Sequence, residues 1–190
     1  LRALGTVGPL AGASPAVRLE HGVFLPEEGM AQLARLQVSP SFHIHHIKYY
    51  GDALANSIVG LQAAMQTLPV RSAFAHGVRP TLHADSPMFP PKAFGLMQTA
   101  IDRRTGMGAL LNAGQSITVQ QALRAMTVNA AWQLRMEKET GSLEVGKWAD
   151  LQIVDRNPYD TPIPQLDQIR TQAVYVGGKL QYAAPAKPQR

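Results

Sequence analysis

Ala16-Val17-Arg18-Leu19-Glu20-His21 alternates apolar and polar side chains over a short length, as a strand does. The run Pro26-Glu27-Glu28-Gly29-Met30-Ala31-Gln32-Leu33-Ala34-Arg35-Leu36 then sets apolar residues at helical intervals. It carries acids in its first turn, where a helix N-terminus favours negative charge. Together they make a strand-loop-helix unit, and the rhythm repeats. Gln37 to Phe42 supplies a second short strand, followed by a helical segment from about Ile58 to Thr67. Arg79 to Asp85 is a third strand-like run, closed by a loop with Pro87, Pro90 and Pro91 before a helix from about Ala93 to Arg103. Strands alternating with helices predict a parallel α/β sheet or barrel.

The second half changes character. Thr118-Val119-Gln120-Gln121 has the spacing of a capping box and opens a helix from Val119 to Met126, with another over Ala130 to Glu137. Beyond it Gly141, Gly146, Gly177 and Gly178 punctuate β-rich runs at Ala149 to Asp155 and Gln172 to Val176, with Lys179 to Tyr182 as a last strand. This part reads as a small β module. The Gly-rich opening through Ser14-Pro15 is a loop or a cut element, and Ala183 to Arg190 is a frayed end. A chain opening on Leu1 rather than Met reads as one begun mid-sequence.

Composition narrows the function classes. With 190 residues, 45% of them hydrophobic, the chain can bury a real core. The net charge of +5 comes from 18 Lys and Arg spread thinly against 13 acids, and the densest basic cluster is Arg103-Arg104. Nucleic-acid binders concentrate such residues on one face, so no nucleic-acid partner is expected. The chain has neither an aromatic-basic motif nor a basic amphipathic helix for RNA or a membrane surface. No apolar stretch approaches the ~20 residues of a membrane-spanning helix, nor is there a signal-peptide layout, so the cytoplasm is the expected location. With no cysteine, any metal must be held by His, Asp, Glu or a modified Lys.

All six His lie in the first 83 positions, several where a strand meets its following loop. In parallel barrels the loops after the strand C-termini hold the active site, so such residues converge although distant in sequence. His21 ends the first strand, His43, His45 and His46 follow the second, and His83 with Asp85 ends the third. Imidazole and carboxylate suit a zinc-like ion. Each has a plainer reading. A single His after a strand is more often structural, Asp85-Ser86-Pro87 could simply start a turn, and the three-His cluster on a loop could be merely solvated. His76, outside any strand context, is read as structural. Repetition in three successive units favours a common site.

These residues also carry a family resemblance. Leu19-Glu20-His21-Gly22, the run Pro40 to Asp52 and Thr81-Leu82-His83-Ala84-Asp85-Ser86-Pro87 resemble the later barrel strands of the amidohydrolase superfamily. The branch they are most similar to is amidohydrolase-3, which includes formamide deformylase-like proteins. Thr118 to Thr127, Asn129-Ala130-Ala131, Gly141 to Asp155 and Val174 to Gly178 resemble the segment leaving that barrel for a β-sandwich. The resemblance covers residues 16 to 182.

It implies the C-terminal part of a TIM-like (β/α)8 barrel over residues 1–137 and strands of a composite β-sandwich over 138–182, with 183–190 as a disordered tail. It implies a divalent metal, zinc, held by His21 after the sixth barrel strand and Asp85 after the eighth. His46 and His83 would lie near a small-molecule substrate, with His46 steadying a developing oxyanion, while His43 and His45 have no family counterpart. The implied chemistry is hydrolysis of a non-peptide carbon-nitrogen bond, amide- or formamide-like, with Asp85 shuttling the proton. The family's opening H-x-H pair, bridging Lys and fifth-strand His have no match in this sequence. The chain alone is therefore expected to be inactive, needing the N-terminal barrel half or a homo-oligomeric partner. The rival reading is a noncatalytic α/β interaction or scaffold module with structural His residues.

Overall fold

A computed structural model describes residues 17–185. The loop read at 1–15 and most of the frayed end lie outside these residues. Strand β1 (Arg18–His21) leads through a 3-10 turn (Glu27–Gly29) into helix α1 (Met30–Arg35) and then β2 (Ser39–Phe42). Next come α2 (His45–Ala53), a π turn (Leu54–Ile58), α3 (Leu61–Ala64), α4 (Val70–Ala75), β3 (Thr81–Leu82) and α5 (Ala93–Asp102). The three strands pair in parallel with β2 in the middle, in a register that aligns His21 with Phe42 and Phe42 with Leu82. Parallel neighbours need a crossover between them, and the helices provide it while covering the sheet. Met30 and Leu33 of α1, Ile47 of α2 and Ala100 of α5 reach zero exposure in one core with Phe42 of β2. The expected α/β alternation is what this half shows.

The capping box forms as its spacing predicts. Gln121 N–H donates to Thr118 Oγ1 at 3.1 Å, and Thr118 N–H donates to Gln121 Oε1 at 2.9 Å, at the head of α6 (Val119–Met126). The following helix, α7 (Val128–Gln133), begins and ends before the expected Ala130 to Glu137. Arg135 takes a left-handed φ of 60°, and Met136 N–H turns back onto Ala131 O at 2.8 Å, closing the helix in a Schellman-type stop.

The β-rich tail is a three-stranded antiparallel sheet of β4 (Leu151–Val154), β5 (Thr171–Val176) and β6 (Lys179–Ala183), so the last strand takes in Ala183. Between β4 and β5 lies a 3-10 segment (Ile163–Gln168) not read from sequence. It inserts a fully buried Leu166 and is tied to α5 by Asp167 N–H donating to Gln98 Oε1 at 3.0 Å. Ile153, Val176, Leu180 and Tyr182 each stay about half exposed, so among the described residues no second layer covers this sheet. No described helix is long and apolar enough to cross a membrane.

Arg103, half of the densest basic pair, is entirely buried. It closes α5 with a left-handed φ of 50° and spends its guanidinium on three backbone carbonyls. Nε donates to Leu111 O at 2.9 Å, Nη1 to Leu68 O at 3.0 Å and Nη2 to Thr67 O at 2.9 Å. Burial pushes its pKa down to about 10, which leaves it charged at neutral pH. Arg103→Met strands all three acceptors and is expected to cost about 3 kcal/mol or more, read as a lower urea midpoint of the chain; an unchanged midpoint would contradict this role.

Candidate metal centre

Because β1, β2 and β3 run parallel, their C-terminal ends come out on one edge. The backbone ladder continues one step past the strands. His43 N–H donates to His21 O at 3.1 Å and His83 N–H donates to Phe42 O at 3.0 Å. Three rings therefore gather in a near-equilateral triangle, with centroids 5.5 Å apart for His21 and His43, 5.0 Å for His43 and His83, and 5.2 Å for His21 and His83. Asp85 turns back over this edge, its Oδ2 lying 3.4 Å from His21 Nε2.

Both His21 (φ 68°) and Asp85 (φ 53°) take left-handed backbone conformations that non-glycine residues seldom adopt. Such strain is held in place by its surroundings and tends to collect at functional sites.

One ligand atom from each of His21, His83 and Asp85 falls within 4.8 Å of the other two. Zinc bonds of 2.0–2.2 Å put ligands of one ion within about 4 Å of each other, so a small contraction would suffice. His83 supports the fit. Its Nε2 is buried and has no partner among the described residues. A buried imidazole nitrogen without a partner, beside a carboxylate, is a donor that a metal ion would satisfy. His83, expected from the resemblance to lie near a substrate, is instead grouped by the geometry with His21 and Asp85. Burial lowers the pKa of His83, favouring the neutral ring that metals bind.

His43 and His45 are not on a solvated loop. They are 1% and 3% exposed, and His45 and His46 begin helix α2. Buried Ile44, Ile47, Gly51 and Leu54, at i, i+3, i+7 and i+10, are the helical signal in that run, and packing rather than a cap holds it, since no side chain caps this helix. Burial first, then the charges of His46 and His83, lowers the His43 pKa to about 4. His46, partly exposed, stands edge-on to His43 with centroids 4.1 Å apart. Its Nδ1 lies 3.2 Å from His43 O.

The sequence reading missed an aromatic flank. Phe89, in the Pro-rich loop after Asp85, stacks on Tyr49 at 4.3 Å, lies 5.6 Å from Tyr50 and faces His43 at 5.2 Å. The signal available was the Tyr49-Tyr50 pair one helical turn beyond His45 and His46. His76 sits apart, its Nδ1 donating to Ser72 O at 2.9 Å and lying 3.6 Å from Glu27 Oε1.

A parallel α/β sheet with imidazoles and a carboxylate at its C-terminal edge defines a class, and comparison with known proteins identifies it. The profile of the amidohydrolase family matches residues 1–182, and the chain belongs to that family. It is 32% identical over 173 residues to an N-substituted formamide deformylase of Arthrobacter pascens, covering 90% of this chain and 32% of that protein. It is 30% identical over 191 residues to an imidazolonepropionase of Geobacillus sp., covering 85% of this chain and 44% of that protein. The chain thus spans less than half of these relatives' length. A metal-dependent hydrolase from Pyrococcus horikoshii superposes with a TM-score of 0.70 at 22% identity, over 85% of this chain and 32% of that one. An adenosine deaminase from Xanthomonas campestris, solved with bound zinc, gives 0.66 at 21% identity over 90% and 38%. These two likenesses are of fold.

Gly22 holds the turn that carries His21. It takes a φ of 54°, and a Cβ there would meet Phe42 Cε1 at 2.8 Å. Gly22→Ala is expected to destabilise the chain by about 1–3 kcal/mol in urea unfolding, through strain and overpacking together, and a stability equal to the parent would show that the turn is not so constrained.

Proposed function

We propose that this chain supplies the last three strands of the (β/α)8 barrel of a metal-dependent hydrolase that cleaves a non-peptide carbon-nitrogen bond in a small amide- or formamide-like substrate. The observation that carries this reading is the donor group of His21, His83 and Asp85 at the C-terminal edge of a parallel sheet, where barrel enzymes keep their chemistry. The names of the deformylase and imidazolonepropionase relatives agree with carbon-nitrogen chemistry. Of the described residues, those up to 137 belong to the barrel, and 138–182 form one layer of a β-sandwich. The half-exposed apolar residues of β4 to β6 support a second layer from outside the described residues. The other barrel strands come from the rest of the polypeptide or from a second copy.

His21 and Asp85 hold a divalent metal, zinc by the chemistry of the donors, with His83 as the third protein ligand that a catalytic site needs. When bound, the ion acidifies water and polarises the substrate carbonyl. The remaining work falls to the side chains. Asp85, about half exposed at the mouth of the site, takes the proton from the attacking water and passes it to the departing nitrogen. His43 keeps a neutral ring against His21 and His83 and excludes water from beneath them. Tyr49, Tyr50 and Phe89 wall one side.

In the complete enzyme, Asp85→Asn should lower kcat for amide or formamide hydrolysis by about 10²–10⁴-fold, and a chelator should abolish activity that added zinc restores. The 190-residue chain by itself should show no metal-dependent hydrolysis. An Asp85→Asn enzyme of full rate, or an active isolated chain, would overturn the reading.

A further inference from the structure

His46 offers a point of chemistry beyond the substrate contact that the family resemblance implies for it. Its Nδ1 sits 3.2 Å from His43 O. A carbonyl oxygen can only accept, so the proton of this contact must be on Nδ1. The same carbonyl accepts the backbone N–H of His46 at 3.1 Å, which occupies its second lone pair. That carbonyl is itself held still, because His43 N–H is bonded to His21 O and the His43 side chain is buried. The tautomer of His46 is thus set by backbone that has no freedom to turn away.

A neutral imidazole protonated at Nδ1 carries its lone pair at Nε2. No hydrogen bond to this nitrogen exists among the described residues, and the side chain is partly exposed beside Tyr50. Burial holds the ring below the ordinary imidazole range, favouring the uncharged form at neutral pH. Such a ring accepts at Nε2 and cannot donate there. An oxyanion requires a donor, so the oxyanion contact that the family resemblance suggests does not suit this histidine.

We propose that His46 Nε2 accepts the N–H of the scissile amide, which makes the enzyme selective for substrates bearing a hydrogen on the reacting nitrogen, N-monosubstituted or primary amides, over N,N-disubstituted ones. The inference rests on the hydrolase reading above and names the substrate class of the same site. No proton is transferred to His46. The amide N–H stays on nitrogen, the carbon-nitrogen bond breaks as Asp85 supplies the leaving group's additional proton, and amine and acid are the products. His46 is a specificity residue, effective because a polar group left facing an alkyl substituent without its partner is penalised.

The test uses the complete zinc-loaded enzyme with N-methylformamide and N,N-dimethylformamide as the matched probes. The parent should favour the first in kcat/KM, and His46→Phe should lower kcat/KM about five- to tenfold for N-methylformamide alone, collapsing the preference. His46→Gln, whose side-chain carbonyl can still accept, should recover part of it, and this guards against a Phe variant that fails to fold. A preference unchanged in both variants would overturn the inference while leaving the hydrolase reading intact; no hydrolysis of either probe would overturn both. A readout free of activity is the ¹⁵N NMR spectrum of the histidine rings, in which His46 should show a protonated Nδ1 and a bare Nε2 at neutral pH. A protonated Nε2 would overturn the proposal by itself.

Discussion

The parallel register of β1, β2 and β3 is the constraint on which the rest depends. Antiparallel pairing would send alternate strand ends to opposite edges and scatter the histidines. Parallel pairing, with the ladder's hydrogen bonds continuing past the strand ends, brings the rings of His21, His43 and His83 into one cluster beside Asp85. Residues 64 positions apart in sequence are thereby brought to one site, as His21 and Asp85 are by their 3.4 Å contact. The helices that make the crossovers also bury His43 at this edge, while His21 and Asp85 stay about half exposed. Desolvation lowers the pKa of His43, His46 and His83 and so favours the uncharged ring, the state in which an imidazole can act as ligand or acceptor.

A second dependence is conformational. His21 and Asp85 both sit in left-handed backbone, and Gly22 follows His21 in the same region with its Cα against the Phe42 ring. The core residue Phe42 thus fixes the turn that presents His21, so core packing and site geometry are one problem at this position. Arg103 plays the corresponding part farther from the site, joining the loop after α3 to the segment after α5 through three carbonyls.

What could be read in advance depended on local signals. The strand alternation at Arg18 to His21, the helical spacing at Met30 to Leu36 and the Thr118 capping box are local patterns, and the structure realises each nearly in place. His21, His83 and Asp85 were legible as candidates because strand ends recur before them. Helix α2 was obscured because His45 to Asp52 is rich in His and Tyr, has no capping side chain and depends on Ile44 and Ile47 burying themselves in the core. Long-range facts were out of reach: that Arg103 turns inward and that Phe89 returns to stack on Tyr49. Neither of these has a signature within a few residues, since each depends on where a distant segment packs.

The most direct measurement is a calorimetric zinc titration of the purified chain and of its His21→Ala/Asp85→Ala double variant, with His76→Ala as the control histidine. The expected result is one zinc bound per chain by the parent and by His76→Ala, and none by the double variant. Equal uptake by the double variant, or no uptake by the parent, would contradict a metal centre built at the ends of β1, β2 and β3.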